Sequence, residues 1–291
     1  MRHTCQQQYK AIFRAGRPSS DLFQQSTPAG TELSFAQNIL ETLDPDIPQA
    51  PFIDRTASSQ PNDNPFSSRK LRKIIKELNK TKAPGYDGLD KIILQQIHSA
   101  SPELLMEMFN KYPSLGFFPT SFKTGVIVLF SKEGNDQNDP KFYRQVSLLP
   151  SMGKLLEKVM IQHLTYFLKT TRQLGPKQFA FKEGVSIGHA LDSLLTTIDS
   201  HKRNKMHGAV VSIDIKGAFN NLKYSSIVEK LSNSQCPPKI QSLFRNRLQD
   251  RNVIIPTNEE VTQQPQTRGC PQVSCSGPAL WNLVAEEAFE Q

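Results

Sequence analysis

The stretch "AVVSIDIKGAF", residues 209–219, limits the fold more than any other part of the chain. An apolar run climbs to one carboxylate, Asp214, and small residues and a Phe follow at once. The run reads as a strand over 209–215. An acid at a strand end is often only a terminator or a turn cap. It is also held stiffly, and Mg²⁺ is a hard ion that takes carboxylate and phosphate oxygens. Small residues after it let a nucleotide approach the backbone, whose N–H groups can meet phosphates. Phe219 could then stand as an apolar wall beside a sugar.

The rest of the chain supports a packed α+β protein. It has 291 residues, 37% of them hydrophobic, enough for one large domain or two small ones. Lys and Arg number 35 against 27 Asp and Glu, a net charge of +8 that favours a polyanionic partner, with a merely solvated basic surface as the alternative on charge alone. The four Cys include no CxxC, and no His lies near the Cys270/Cys275 pair, which points to reduced thiols rather than a zinc site. The polar start "MRHTCQQQYK" does not read as a signal peptide. The longest apolar run, "GVIVLF", suits a buried strand and not a membrane span.

Residues 1–66 are rich in Gln, Ser, Thr and Pro and read as a poorly ordered arm or linker, with one helical stretch, "ELSFAQNILETL", isolated among the breakers. Residues 67–291 read as the folded domain, its core at about 120–291. An amphipathic basic helix at "SSRKLRKIIKELNK" opens it, and the Pro-Gly turn "TKAPGYDGL" follows. "TGVIVLFSK" and "YRQVSLLP" read as a hairpin. Strong helical patterns lie at 151–170 and 186–204, with further helices near "SSIVEKLSNS" and after Pro237, then a strand "NVIIP". Ser276 is placed to cap a last helix with Pro278 in its first turn.

"SIDIKGAFNNL" resembles the Asp-x-x-x-Ala-Phe motif of reverse transcriptases. "KTKAPGYDGL", "LGFFPTSFKTGVIVLFSKEG", "YRQVSLLPSMGKLLEKVM", "QFAFKEGVSIGHAL" and "RGCPQVSCSGPALWNL" resemble the other blocks of the non-LTR, LINE-type retrotransposon enzyme, in the same order. One block is weak evidence and six in order are strong. Group II intron and telomerase enzymes share the order, but "CSGPALWN" fits arthropod-type retrotransposons better.

The resemblance implies a right-hand polymerase, here fingers and a partial palm, making DNA on an RNA template by two-metal nucleotidyl transfer. It implies Mg²⁺, with Mn²⁺ as a substitute. Asp214 matches the metal-binding palm aspartate, and the Ile215 carbonyl a further ligand. Lys132, Arg144, Ala218, Phe219 and Gln272 match nucleotide-binding positions, Arg144 as a planar fork for phosphate oxygens. Phe219 matches the gate against a ribose 2′-hydroxyl. Gly85, Gly88, Gln178 and Phe179 match template-facing positions. Implied partners are an RNA template, a DNA primer or target DNA, and dNTPs, with no membrane, in nucleus and cytoplasm.

Departures accompany the match. Val273 stands where the family has Gly, Gln145 where it usually has Pro, and Asn220 where Asp is common. No Asp-Asp pair occurs in the 291 residues, so the second metal motif is not among them, nor is a thumb. The expectation is therefore a truncated, inactive copy of the polymerase domain. A non-catalytic nucleic-acid-binding remnant and a relic with exposed strand edges remain as alternatives.

Overall fold

A computed structural model describes residues 31–45, 66–78, 83–131, 139–215, 217–234, 236–257, 260–270 and 274–290, without the side chains of 286–290. In chain order it has α1 (Glu32–Leu43), α2 (Ser68–Glu77), α3 (Lys91–Ala100), α4 (Pro102–Leu115), β1 (Thr124–Ser131) and β2 (Tyr143–Leu148). Then come α5 (Ser151–Thr170), α6 (Ile187–Arg203), α7 (Tyr224–Asn233), α8 (Pro238–Leu248), β3 (Asn252–Pro256), β4 (Val261–Pro265) and α9 (Gly277–Glu290). This is a mixed α/β architecture around one small sheet.

The sheet order is β2-β1-β3-β4, with β1 antiparallel to β2, parallel to β3, and β3 antiparallel to β4. The run "GVIVLF" is continuous because β1 is covered on both faces. Ile127 and Leu129 join Val253 and Ile255 under α1, while Val128 and Phe130 pack with Leu148 and Ala83 on the other side. Thus α1, whose Ala36, Ile39 and Leu40 are fully buried, is part of the folded body. The boundary expected after residue 66 does not hold for it: its apolar face has a sheet to cover. Ser67 and Asp90 cap α2 and α3, their side chains accepting from the N–H of Lys70 and Ile93.

The main core surrounds α5. Leu155, Leu156, Val159, Met160, Leu164 and Leu168 turn inward at helical spacing and meet α2, α3, α4, α7 and α8 through residues such as Ile74, Leu94, Phe109, Ile227 and Phe244. Truncating any one of these to Ala should cost about 2–5 kcal/mol.

The strand expected at 209–215 does not form. Residues 206–215 run with no ladder to any described strand, and Val211 and Ile213 are 79% and 82% exposed. The apolar pattern is real, but a strand exists only with a partner, and the described sheet offers this segment none. The helix before it, α6, forms as expected, yet its Leu191, Leu194, Leu195 and Ile198 are also exposed.

Candidate active site

The turn after Asp214 starts at Gly217, in the left-handed region at φ 64°, and carries Ala218 and Phe219. Residues 219–223 then zip against 268–270. Cys270 N–H donates to the Phe219 carbonyl at 2.9 Å, Gly269 N–H to the Leu222 carbonyl at 2.8 Å, and Lys223 and Arg268 form an antiparallel bridge. Two sequence blocks some fifty residues apart thus share one backbone junction.

A second contact brings in the turn before α6. The Phe219 ring lies edge-on to Phe181, centroids 5.8 Å apart, and tilted against Trp281 of α9 at 6.0 Å. Asn282 Nδ2 donates to the carbonyls of Ala180 and Phe181, and Gln178 Nε2 donates to the Asn282 carbonyl at 3.3 Å. Gln178 and Phe219 are therefore held on the same element, the first turns of α9. Ser276, immediately before that helix, is fully buried, and its carbonyl accepts from Leu280 N–H.

Beneath this junction lies a buried ion pair. Arg247 Nη2 donates to Glu157 Oε1 at 2.7 Å, and both side chains are out of solvent. Burial alone would push the Glu157 carboxyl up, but the Arg247 guanidinium and the Ser274 and Ser276 hydroxyls outweigh it and hold it below the usual carboxylate range. Burial pushes the nearby Cys270 thiol up to about 11, so it stays protonated.

The other predicted residues fall elsewhere. Asp214 and Ile215 are exposed on the unpaired segment. Arg144 is exposed on β2, opposite Phe130 of β1. Gly85 packs on the β2–α5 junction, where an added Cβ would come within 2.5 Å of Pro150 N, so only Gly fits. Gly88 adopts φ 65° in the turn that follows, with Tyr86 Oη donating to the Ser121 carbonyl. Phe179 is half-buried beside Gln178. Lys132, Gln272 and Val273 lie outside the described residues. Phe181, Trp281, Asn282, Glu157 and Arg247 were not singled out from sequence. Four of the five sit in or beside the quoted blocks, and Glu157 is an acid set within an apolar helix face, which is a legible signal.

Among the described residues no three of His, Cys, Asp and Glu converge as a metal site. These residues therefore do not make a two-ion centre by themselves; Asp214 offers one exposed carboxylate. No described helix is long and apolar enough to cross a membrane.

The Asp-turn-Phe segment is bonded to the Gly-Cys block and backed by an aromatic cluster within a mixed α/β body. The chain belongs to the reverse transcriptase (RNA-dependent DNA polymerase) family, which matches residues 131–291. It is 29% identical over 75% of its length to the 115 kDa protein of the type-1 retrotransposable element R1DM of Drosophila melanogaster, covering 21% of that protein. It is 29% identical over 83% of its length to the R1 Pol polyprotein of Bradysia coprophila, covering 24% of it. The RNA-directed DNA polymerase of the Drosophila melanogaster element jockey is 26% identical over 75% of the chain, with 24% of that polymerase covered. The chain thus spans about a fifth to a quarter of these relatives' length.

Proposed function

We propose that the chain is the fingers and first part of the palm of a non-LTR retrotransposon polymerase that copies RNA into DNA. The observation that carries this reading is the Cys270–Phe219 backbone bond, with Phe181 and Trp281 both packed against the Phe219 ring. In this reading Phe219 walls the sugar, Arg144 and Lys132 take triphosphate oxygens, and Ala218 and Gln272 complete the nucleotide pocket. Gly85, Gly88, Gln178 and Phe179 face the template. Asp214 and the Ile215 carbonyl supply one side of the Mg²⁺ site, which Mn²⁺ would also occupy. The partners are an RNA template, a DNA primer or target DNA and dNTPs, and the protein works in nucleus and cytoplasm.

One observation favours a second reading for these residues alone. Asp214 stands exposed and belongs to no cluster of three or more His, Cys, Asp or Glu among the described residues, which suits a nucleic-acid-binding body without catalysis. Both readings require hybrid binding through the basic residues of α2, including Arg69, Lys70, Lys73 and Lys76. Filter binding of an RNA–DNA hybrid across a salt series tests this. Affinity should fall with a slope of roughly −0.7 to −0.9 per phosphate neutralised. Absent or salt-independent binding would refute both readings.

A further inference from the structure

Glu157 of α5 and Arg247 of α8 are each 1% exposed, and their contacts reach past each other. Glu157 Oε1 accepts from Ser276 N–H at 3.0 Å and from the Ser274 hydroxyl. Arg247 Nη2 also donates to Ser276 Oγ at 2.8 Å. One buried pair thus grips both serines that lead into α9. From that start, α9 carries Gly277, where an added Cβ would lie 3.5 Å from the Phe219 ring, and Trp281, packed against the same ring.

A buried ion pair is a poor device for stability alone, since apolar residues of equal volume often serve as well. It is a good device for orientation when every remaining donor and acceptor is satisfied, because each bond fixes a direction. Here the bonds converge on the start of the helix that backs Phe219. We propose that Glu157 and Arg247 are positioning residues for the nucleotide pocket: through Ser274 and Ser276 they set α9, and α9 sets the Phe219 ring. The inference rests on the polymerase reading of Phe219, but its geometry does not.

Trp281 is the sole Trp of the chain, so its emission reports this junction alone. Cys236, buried in the main core, reports global opening. The test compares wild type, Glu157→Gln and Ser274→Ala, the last removing the hydroxyl's bonds to Glu157 and Ser276 while leaving both members of the ion pair in place. Acrylamide quenching of Trp281 and alkylation of Cys236, resolved by peptide mass spectrometry, are read on the full chain. Expected is a red-shifted, more quenchable Trp281 in at least one variant whose Cys236 stays protected. The local opening equilibrium should rise about tenfold, in line with loss of a hydrogen bond to a charged acceptor. Unchanged Trp281 in both variants, or Trp281 and Cys236 loosening together in both, would overturn the positioning role. In a separate arm, RNA–DNA hybrid with a matched dNTP should alter wild-type Trp281 emission. Failure of that arm alone would remove the polymerase reading of the pocket and leave the positioning result standing.

Discussion

His163 of α5 lies edge-to-face against Phe66, ring centroids 4.7 Å apart, with its Nε2 buried and without a hydrogen-bond partner. It lines a cleft with Lys70 of α2 and Lys239 of α8, and no carboxylate among the described residues lines the same cleft. Burial, then the Lys70 charge, lowers its pKa to about 4. The folded value is below the unfolded one near 6.5, so between these pH values the unfolded chain takes up a proton that the native state refuses. Stability from this site is therefore complete above about pH 6.5 and lost as pH falls toward 4. In urea titrations, His163→Phe should flatten the decline in midpoint over that window relative to wild type. Parallel declines would show that His163 is not its source.

Gly269 should resist any side chain. It sits at φ 76°, and a Cβ there would lie 2.8 Å from the Asn220 carbonyl oxygen. Gly269→Ala therefore meets strain in the left-handed region and a backbone clash together, each of order 1–3 kcal/mol. The two hydrogen bonds that join 269–270 to 219–222 should loosen first. The expected result is a lower thermal midpoint with faster alkylation of Cys270, which is otherwise 5% exposed. A variant with both values unchanged would mean that the junction is less rigid than its geometry.

The Arg247–Glu157 pair makes an asymmetric prediction for a double-mutant cycle. Arg247→Met leaves an uncompensated buried carboxylate and should cost about 3–5 kcal/mol. Adding Glu157→Met removes that charge and should restore most of the loss. Recovery should stop short of complete, because Ser276 N–H loses its charged acceptor and keeps only the Ser274 hydroxyl at 3.1 Å. Denaturant midpoints at constant slope would read this; strictly additive losses would contradict it.

Hydrophobic periodicity made most of this fold readable. The stripe through α5 and the run of β1 are long, apolar and buried where the pattern puts them. β4 escaped because its inward positions are polar. Thr262 and Gln264 are buried, Gln264 Nε2 donates to the Asp44 carbonyl at 2.6 Å, and Gln266 accepts from buried Arg251. A core face made of polar side chains has no hydrophobic signature. The reverse error occurred at 209–215, where a clear apolar pattern meets no partner strand. Of the site, the Asp-to-Phe turn and the Gln178 turn were legible as blocks. The ion pair under them was not, because it joins residues 90 apart in sequence.

The last prediction concerns Asp214. In-line phosphoryl transfer by two ions about 3.5–4 Å apart needs carboxylates that hold both, and a misplacement of about 1 Å can lower such a rate roughly a hundredfold. The 291 residues contain no Asp-Asp pair, and Asp214 is exposed on a segment bonded to no described strand. The 291-residue polypeptide should therefore show no extension of a DNA primer on an RNA template with Mg²⁺ or Mn²⁺. An apolar, unpaired segment ending in an acid is suited to pair with an added strand that carries further acids. Joining the chain to the region that follows the matched part of the R1DM protein should therefore give template-dependent extension. In that fusion Asp214→Asn should abolish extension while hybrid binding, carried by the basic face of α2, stays within about threefold, since a lone exposed charge contributes little to binding. Extension by the 291 residues alone that survives Asp214→Asn would overturn the role assigned to Asp214. An inactive fusion that still binds hybrid would support the non-catalytic reading instead.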